Sequence, residues 1–550
     1  MRPTALVLAI ATATTPLAAQ APSRDTVATL LATGAHPWLG NAGRFVDVQG
    51  MVSGAVIDGG AASLAAWTRD GRASSAARAV LALVTASHES TPDERADAAR
   101  LDSIARGRLD DTQRSLFGLA MHVVVARHAA VRAQGRLDPA RLHAEWSLAP
   151  QPVALAPLVA AMQGDASTVA DGFAALEPQT PHYRRLRQAL EAVRALRADS
   201  VALVLPSPAK PVKPGQKSAG LRDLGRLLVA LGELPATARP DTVTYDTTLA
   251  RAVQRIRRRT DRKATTVLDA ATVARLAAQL DDRERALSLA MERWRWLPRQ
   301  YANTPLVVNI PEFRLERWVE WAGDSAGGIA MNVVVGRADS NATPVFASSL
   351  TQVVFSPQWR VPTSIMRKEI GPRAVKNPGY LARNNYYLAS AGGTELPVTG
   401  ANIARIGTGV FVRQRSGGGN SLGRVKFNMY NPYDIYMHDT PSKRLFARPR
   451  RDFSHGCVRL ANPTALARFV LADQPAWTDE RIDEAMKAGK ERFVGLRKSI
   501  PVLIVYHTLV VEPDGTMRRF DDIYGHDARA YAALAGGRPV AAAMTEEAAP

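Results

Sequence analysis

The spacing of apolar residues changes along the chain and predicts two kinds of structure. From about residue 25 to residue 205, apolar positions recur every three to four residues, as on one face of a helix. Beyond Thr304 the spacing becomes two, which is typical of β-strands. Strand-like runs occupy residues 306–310, 313–319, 329–335 and 352–355. The pattern therefore predicts a helical N-terminal region followed by a mainly β domain.

Interruptions of these patterns predict the domain boundaries. Residues 206–217 hold four prolines and three lysines without apolar periodicity, which is typical of an extended linker. Between about residues 364 and 423 the sequence becomes polar and rich in glycine and tyrosine, so we expect a functional loop insertion. The predicted segments are a helical scaffold at 22–205, the linker at 206–217, a three-helix domain at 218–280, a connecting helix at 281–303, the β domain at 304–525 and a tail at 526–550, disordered beyond about Ala535.

The first residues have the features of an export signal. Arg2 gives an early positive charge, a short apolar stretch follows, and small residues lie near Ala18 to Ala21. Residues 1–21 are therefore excluded from the fold, and the mature protein is expected in the periplasm. No later segment is expected to reach the length of a membrane span.

Composition and charge narrow the class of partner. With 46% hydrophobic residues among 550, the chain can form several domains with cores of their own. The formal net charge of +19 predicts an anionic partner, and for an exported protein a wall polymer fits better than nucleic acid. The sequence shows no RNP, zinc-finger or helix-turn-helix signature, so no nucleic-acid partner is predicted.

Cys457 is the sole cysteine of the chain and is the strongest candidate for a catalytic residue. It cannot form an internal disulfide, and exported proteins usually avoid an unpaired thiol. Its neighbours His455, Gly456 and Arg459 predict an exposed thiol with a lowered pKa, as in a nucleophile. We expect the amides around Gly456 and Cys457 to face a developing oxyanion, and Arg459 either to hold a substrate carboxylate or to pair with a structural one.

His438 is the candidate base for this thiol. It follows the alternating run 433–437, so it is expected at a strand end where its side chain leaves the sheet. An imidazole in that position can accept the thiol proton and later remove a proton from a second substrate. Asp439 or a main-chain carbonyl is expected to orient the ring, and His455 to shape the oxyanion site.

Two other interpretations of Cys457 remain open from the residues alone. A lone cysteine is most often a small buried hydrophobe. With His438 and His455 it is also a potential zinc ligand, but a structural zinc site needs four ligands, and the chain has no second cysteine, HExxH or CxxC. We predict neither a metal nor an organic cofactor.

The segment Ser454-His-Gly-Cys-Val-Arg459, with His438-Asp-Thr-Pro upstream, resembles the active-site signature of the YkuD-type L,D-transpeptidases, which crosslink bacterial peptidoglycan. The similarity covers about the C-terminal half of the chain, and the N-terminal half only by domain order. It looks like the larger Gram-negative branch typified by the YcbB protein, and it extends to residues 292–298, 357–362 and 422–428. It implies a multidomain α+β fold, with a helical scaffold, a small peptidoglycan-binding-like domain and a mainly β YkuD-type domain that carries a flap at about 364–423.

The resemblance also implies a reaction. Cys457 attacks the bond between the third residue of a tetrapeptide stem and its terminal D-alanine, and the side-chain amine of a neighbouring stem then attacks the thioester to make a 3→3 crosslink. Stem peptides are the implied partners, and carbapenem-type inhibitors are expected to acylate the thiol. The implied substrate-lining residues are Trp359, Asn428, Tyr436 and Ser454, with a local hydrogen bond inside the fold as the alternative for the last three.

The three-helix domain is similar in helix order to a small peptidoglycan-binding domain, which implies contact with a glycan strand. That family usually has Phe-Gln before an arginine and an Asp-Gly turn, whereas this chain has Arg255-Ile256 and Leu268-Asp-Ala270. The helical fold is expected, and glycan binding stays open.

Three functions therefore compete. The first is the transpeptidase, and the second is a cysteine hydrolase that uses the same thioester with water, as an L,D-carboxypeptidase or to release wall-tethered protein. The third is a non-catalytic wall-binding scaffold, against which Cys457, His438 and Arg459 together argue. The sequence does not distinguish the transpeptidase from the hydrolase, because the shape of the flap and its exclusion of water determine which acceptor reaches the thioester.

Overall fold

The computed structural model describes residues 24–40, 44–143, 146, 148–163, 166–198, 203–258, 264–299, 304–318, 328–339 and 341–535. The predicted export signal and the tail beyond residue 535 lie outside these residues. The chain divides into two compact units. The first consists of residues up to 136 together with residues 152–177, and the second consists of residues 137–151 together with residues 178–536.

The first unit is helical, as the apolar spacing predicts. Because 83% of the most apolar stretch of its 24-residue helix Asp111–Gln134 is buried, this helix forms the core of the unit. By length and hydropathy the same helix meets the criteria for a membrane span, so the expectation that no later segment does so is wrong. The elements in chain order are α1 (Arg24–Thr33), α2 (Gln49–Ala65), β1 (Thr68–Arg69), β2 (Arg72–Ala73), α3 (Ser75–Ala86), α4 (Pro92–Ala105), α5 (Asp111–Gln134) and, after α6 (Pro139–Leu142) of the second unit, α7 (Leu155–Ala161) and α8 (Ala166–Ala175).

The second unit begins with helices that precede the sheet. Besides α6, these are α9 (Pro181–Ala198), α10 (Leu221–Ala230), α11 (Thr247–Arg258), α12 (Ala270–Ala277) and α13 (Gln279–Arg295). Helix α9 falls in the predicted scaffold segment, yet it packs along α13 because its apolar row, which includes Leu186 and Leu190, is buried there. In the predicted linker, Val212 is buried and its amide bonds to the Leu268 carbonyl at 2.8 Å, so this segment lies against the three-helix domain.

A large sheet forms the β domain. The described strands of this domain are β3 (Leu306–Asn309), β4 (Arg314–Arg317), β5 (Ala330–Gly336), β6 (Phe346–Phe355), β7 (Trp359–Arg360), β8 (Tyr386–Ala389), β9 (Glu395–Leu396), β10 (Phe411–Gln414), β11 (Val425–Met429), β12 (Met437–His438), β13 (Asp452–Ser454), β14 (Val458–Leu460), β15 (Arg492–Val505), β16 (Leu509–Val511) and β17 (Met517–Arg519). Within the described residues the nine strands of the large sheet are ordered β13-β5-β14-β12-β11-β6-β15-β3-β4, and β5 also pairs with β4, which closes the sheet on itself.

The insertion predicted as a loop is a folded subdomain, here called the lid (residues 359–414). Strands β7, β10, β8 and β9 form its own sheet, and an apolar core that includes Ile370, Leu388 and Val412 lies beneath it. The expectation of a loop is wrong because these strands and helices are too short to produce a readable apolar period. The lid helices are α14 (Thr363–Ile365), a π-helical turn at Met366–Ile370, α15 (Gly371–Lys376), α16 (Gly379–Arg383) and α17 (Gly400–Ala404).

Three further α-helices follow the lid in the described part of this unit. The side chain of Asn462 caps α18 (Pro463–Leu471), and that of Thr478 caps α19 (Asp479–Lys487). Both helices pack on the core face of the large sheet. The predicted tail at 526–550 begins with α20 (His526–Ala535), so its first ten residues are helical.

Candidate active site

Strand pairing brings two predicted site residues, His438 and Arg459, next to Lys426 on one face of the large sheet. Strand β12 pairs in parallel with β14, which sets His438 opposite Arg459, and antiparallel with β11, which sets Lys426 opposite His438. Met437 and Val458, which directly precede His438 and Arg459 in their strands, are buried in the core. Because side chains alternate along a strand, Lys426, His438 and Arg459 project from the other face.

The Cys457 thiol lies at the start of β14, on this same face. It is half-buried, and Sγ is 3.6 Å from the main-chain oxygen of Asp434, whose φ of 54° is unusual for a residue other than glycine. Burial raises the pKa of the thiol, although Tyr436, Lys426 and Arg459 act in the opposite direction. The predicted lowering of this pKa is therefore wrong, because the loss of solvent outweighs the neighbouring cations.

The His438 ring is held as a neutral base. Its side chain is buried, and Nδ1 donates to the Asp439 main-chain oxygen at 2.5 Å, which leaves Nε2 to accept a proton. Burial, with the nearby Arg459 charge, lowers the pKa of His438 to about 3. The sequence analysis expected either Asp439 or a main-chain carbonyl to orient the ring, and the main-chain carbonyl of Asp439 does so. The Asp439 carboxylate instead accepts from the Arg424 amide and from Lys443.

No hydrogen bond joins His438 to Cys457 within the part of the chain that the structure describes. The Tyr436 ring lies beside the imidazole, edge to face, with centroids 5.7 Å apart. In unliganded sites such bonds are often long and tighten when substrate binds. The two residues thus occupy one face without a preformed ion pair, since burial favours the neutral form of each.

The turn before Cys457 is fixed from inside the fold. The Gly456 amide donates to Ser454 Oγ (3.2 Å), and Ser454 Oγ donates to the Cys457 carbonyl (2.5 Å). Gly456 has a φ of +108°, which favours glycine, and its carbonyl accepts from Thr343 Oγ1 at 2.7 Å. Ser454 is buried by these contacts, so it holds the turn rather than lining the substrate site. Among the described residues the Cys457 amide N–H makes no hydrogen bond, whereas the Gly456 amide N–H donates to Ser454. Of these two amides, only that of Cys457 is therefore available to an oxyanion.

Two cations flank the thiol without a carboxylate partner among the described residues. Burial lowers the pKa of Arg459, and its buried Nε makes no hydrogen bond. Burial also lowers the pKa of Lys426, whose Nζ lies 3.9 Å from the centre of the Tyr436 ring. Desolvated cations of this kind favour a bound anion, so this part of the face can receive a substrate carboxylate.

The remaining predicted residues occupy different surroundings. Asn428 lies on the same face, two residues after Lys426, and donates to Gln352 Oε1 at 2.8 Å. Trp359 belongs to lid strand β7, and its indole N–H approaches the Tyr436 hydroxyl without completing a normal hydrogen bond. His455 Nε2 contacts Glu369 Oε1 of the lid at 2.5 Å, so this ring nitrogen is engaged by the lid.

Sequence reasoning missed Lys426, Thr343 and Glu369. Lys426 had a usable signal, because it is two residues from Asn428 in a strand-like run and therefore shares its face. Thr343 contacts the turn from 113 residues away, and Glu369 contacts it from 86 residues away. Nothing in the local pattern indicates contacts of that separation.

Gly423→Ala is expected to lower both stability and activity. Gly423 has a φ of +63°, and an added Cβ would lie 2.3 Å from Asp439 Cγ, which would displace the segment that orients His438. Gly489 has a similar φ of +67° with no atom within 4 Å, so Gly489→Ala serves as a matched control. The backbone strain costs roughly 1–2 kcal/mol in either variant, and the collision adds roughly 1–3 kcal/mol in Gly423→Ala. Chemical denaturation measures the difference, and equal losses would contradict the prediction.

Known proteins resemble two parts of this chain. Residues 304–489 match the family model of the L,D-transpeptidase catalytic domain, YkuD, and residues 62–190 match a scaffold domain. A Haemophilus influenzae protein described as a candidate L,D-transpeptidase is 32% identical over 242 residues. That alignment covers 44% of this chain and 48% of the relative, so the chain spans about half the length of the curated relative it matches.

Proposed function

We propose that this protein makes 3→3 crosslinks between peptidoglycan stems through a Cys457 thioester, because residues 304–489 match the family model of the L,D-transpeptidase catalytic domain. The observation that carries the proposal is the shared face of Cys457, His438 and Arg459, which the parallel pairing of β12 and β14 brings together. The branch typified by YcbB and the periplasmic location are part of the same proposal.

In the first half-reaction the donor stem acylates the thiol. Cys457 Sγ bonds to the carbonyl carbon of the third residue while His438 Nε2 takes the thiol proton. The Cys457 amide stabilises the oxyanion, and the amide bond to D-alanine breaks as His438 returns the proton to the leaving amine. Since the resting groups are neutral, attack and proton transfer are coupled. During the attack Lys426 and Arg459 stabilise the partial negative charge that develops on sulfur, and they also attract the donor carboxylate.

In the second half-reaction an amine of a neighbouring stem attacks the thioester. His438 takes a proton from the attacking nitrogen and returns it to the departing sulfur, which restores the thiol. Energy of the original amide is retained in the thioester, so no ATP is required. Carbapenem-type inhibitors are expected to acylate Cys457 in the same way.

Hydrolysis by water remains the second candidate function. The folded lid favours transpeptidation, because it has its own core and meets the catalytic turn through Glu369. A structured cover limits the access of water to the thioester. We also propose that the three-helix domain contacts the glycan strand, although Arg255-Ile256 departs from the usual pattern.

Incubation with purified tetrapeptide muropeptides tests the proposal. We expect dimers that lack one D-alanine to be the main product by mass spectrometry, because the lid disfavours water as the acceptor. Tripeptide monomers alone would favour the hydrolase. Unchanged tetrapeptide in the presence of intact protein would contradict both enzymatic functions.

A further inference from the structure

The lid reaches the catalytic turn through one acidic side chain. Glu369 Oε1 contacts His455 Nε2 at 2.5 Å, two residues before the nucleophile. Among the described residues Glu369 Oε2 has no hydrogen-bond partner. The exposed fractions of the two side chains, 35% for Glu369 and 31% for His455, leave this carboxylate accessible at the rim of the site. Glu369 also lies in the π-helical turn Met366–Ile370, a distortion that is frequent at functional sites.

A row of lid aromatic rings connects this carboxylate with the sheet face. Trp359 lies beside Tyr386 (ring centroids 6.4 Å apart), and Tyr386 beside Tyr380 (6.0 Å). Tyr380 accepts a hydrogen bond from Arg373 at 3.3 Å, and the charges of Arg373 and Glu369 attract each other over a longer distance. Lys426 and Arg459 lie on the sheet side of this row. The sheet side of the site therefore carries two cations, whereas the lid side carries the Glu369 carboxylate, with the Arg373 charge at a longer distance.

We propose that Glu369 recognises the acceptor amine, an inference that rests on the proposed transpeptidase function. The donor stem brings carboxylates, which suit Lys426 and Arg459, whereas the acceptor brings an alkyl amine with a pKa of about 10.4 that is protonated at neutral pH. His455 orients the Glu369 carboxylate and leaves Oε2 for the ammonium group. The bound ammonium loses one proton to solvent before attack, and the attacking nitrogen loses a second to His438.

The alternative is a latch in which Glu369 only holds the lid closed. The two roles differ in their dependence on acceptor charge. Hydroxylamine is uncharged at neutral pH and cleaves the thioester to a hydroxamate, so it serves as the acceptor without charge. A latch would affect transfer to both acceptors alike, whereas charge recognition would affect the stem amine selectively.

The test measures the ratio of stem-amine transfer to hydroxylamine transfer from the same donor acyl-enzyme. In Glu369→Gln, which keeps the size and an acceptor oxygen, we expect this ratio to fall about tenfold. Glu395→Gln is the matched control, because Glu395 is a lid carboxylate paired with Arg415, and its ratio should equal that of the unmodified protein. An unchanged ratio in Glu369→Gln would overturn the inference, whether or not both rates fall together.

A measurement on the unmodified protein does not depend on how the variant folds. Salt screens the attraction between carboxylate and ammonium, so the same ratio should fall as ionic strength rises, and a constant ratio would also contradict the inference. Failure of the proposed function has a separate signature in the unmodified protein: either no acyl-enzyme forms from the donor stem, or the acyl-enzyme gives only tripeptide and no crosslinked product.

Discussion

Cys457→Ala is expected to abolish formation of the covalent acyl-enzyme while leaving the fold intact. The side chain is half-buried at the start of β14, so loss of one sulfur atom should change the free energy of unfolding by roughly 1 kcal/mol. The nucleophile is lost completely, because the described residues that surround it offer no second thiol. Intact-mass measurement after exposure to a carbapenem gives the result directly.

Cys457→Ser provides a closer control for this substitution. A hydroxyl has nearly the same size, but it is much harder to deprotonate than a thiol, so we expect no acylation on the same timescale. If the alanine variant still gained the mass of the carbapenem, the nucleophile would have to be another residue.

His438→Ala is expected to slow acylation by roughly a hundredfold or more, because it removes the general base. His455→Ala should have a milder effect on acylation, since His455 Nε2 is engaged by Glu369 of the lid. His438→Gln keeps most of the side-chain volume without a proton acceptor of similar basicity, so it separates the chemical role from packing. Stopped-flow acylation of the folded variants, checked by circular dichroism, gives the rates.

The pH dependence of thiol alkylation tests the neutral state of the pair. With the pKa of His438 lowered to about 3 and that of Cys457 raised, alkylation by iodoacetamide should increase only in the alkaline range. A thiolate–imidazolium pair would instead react already near pH 6. A raised thiol pKa in the His455 variant alone would reverse the assignment and leave His438 a supporting role.

The lowered pKa of His438 also affects stability. In the unfolded chain histidine has a pKa of about 6.5. As the pH falls from that value towards 3, the unfolded state binds a proton that folded His438 resists, so this residue destabilises the fold in acid. Above that range both states are neutral, and the contribution disappears.

The strands that carry the site can be predicted from the sequence, whereas the surroundings that set the pKa values of its residues cannot. Period-two runs locate β3, β4, β5 and β6, and the single cysteine identifies the centre of the chemistry. The position of His438 opposite Arg459 follows from the parallel pairing of β12 with β14. That pairing joins segments separated along the chain, so no local pattern contains it.

The incorrect expectations have a shared physical cause. The neighbours of Cys457 in sequence are cationic, but its pKa depends mainly on burial, which comes from distant parts of the fold. Likewise, the lid is folded because short elements bury Ile370 and Leu388 together, although neither run is long enough to predict a helix or strand. The domain boundaries, the signal and the roles of the site residues stay predictions.

The most direct test of the account is identification of the residue that carries the donor stem. The protein is mixed with tetrapeptide muropeptide in the absence of other acceptors, quenched in acid, digested and mapped by mass spectrometry. We predict that the peptide containing Cys457 gains the mass of the stem without its terminal D-alanine, as a hydroxylamine-sensitive thioester. Release of D-alanine with the adduct on another residue, or release that persists in Cys457→Ala, would contradict the account.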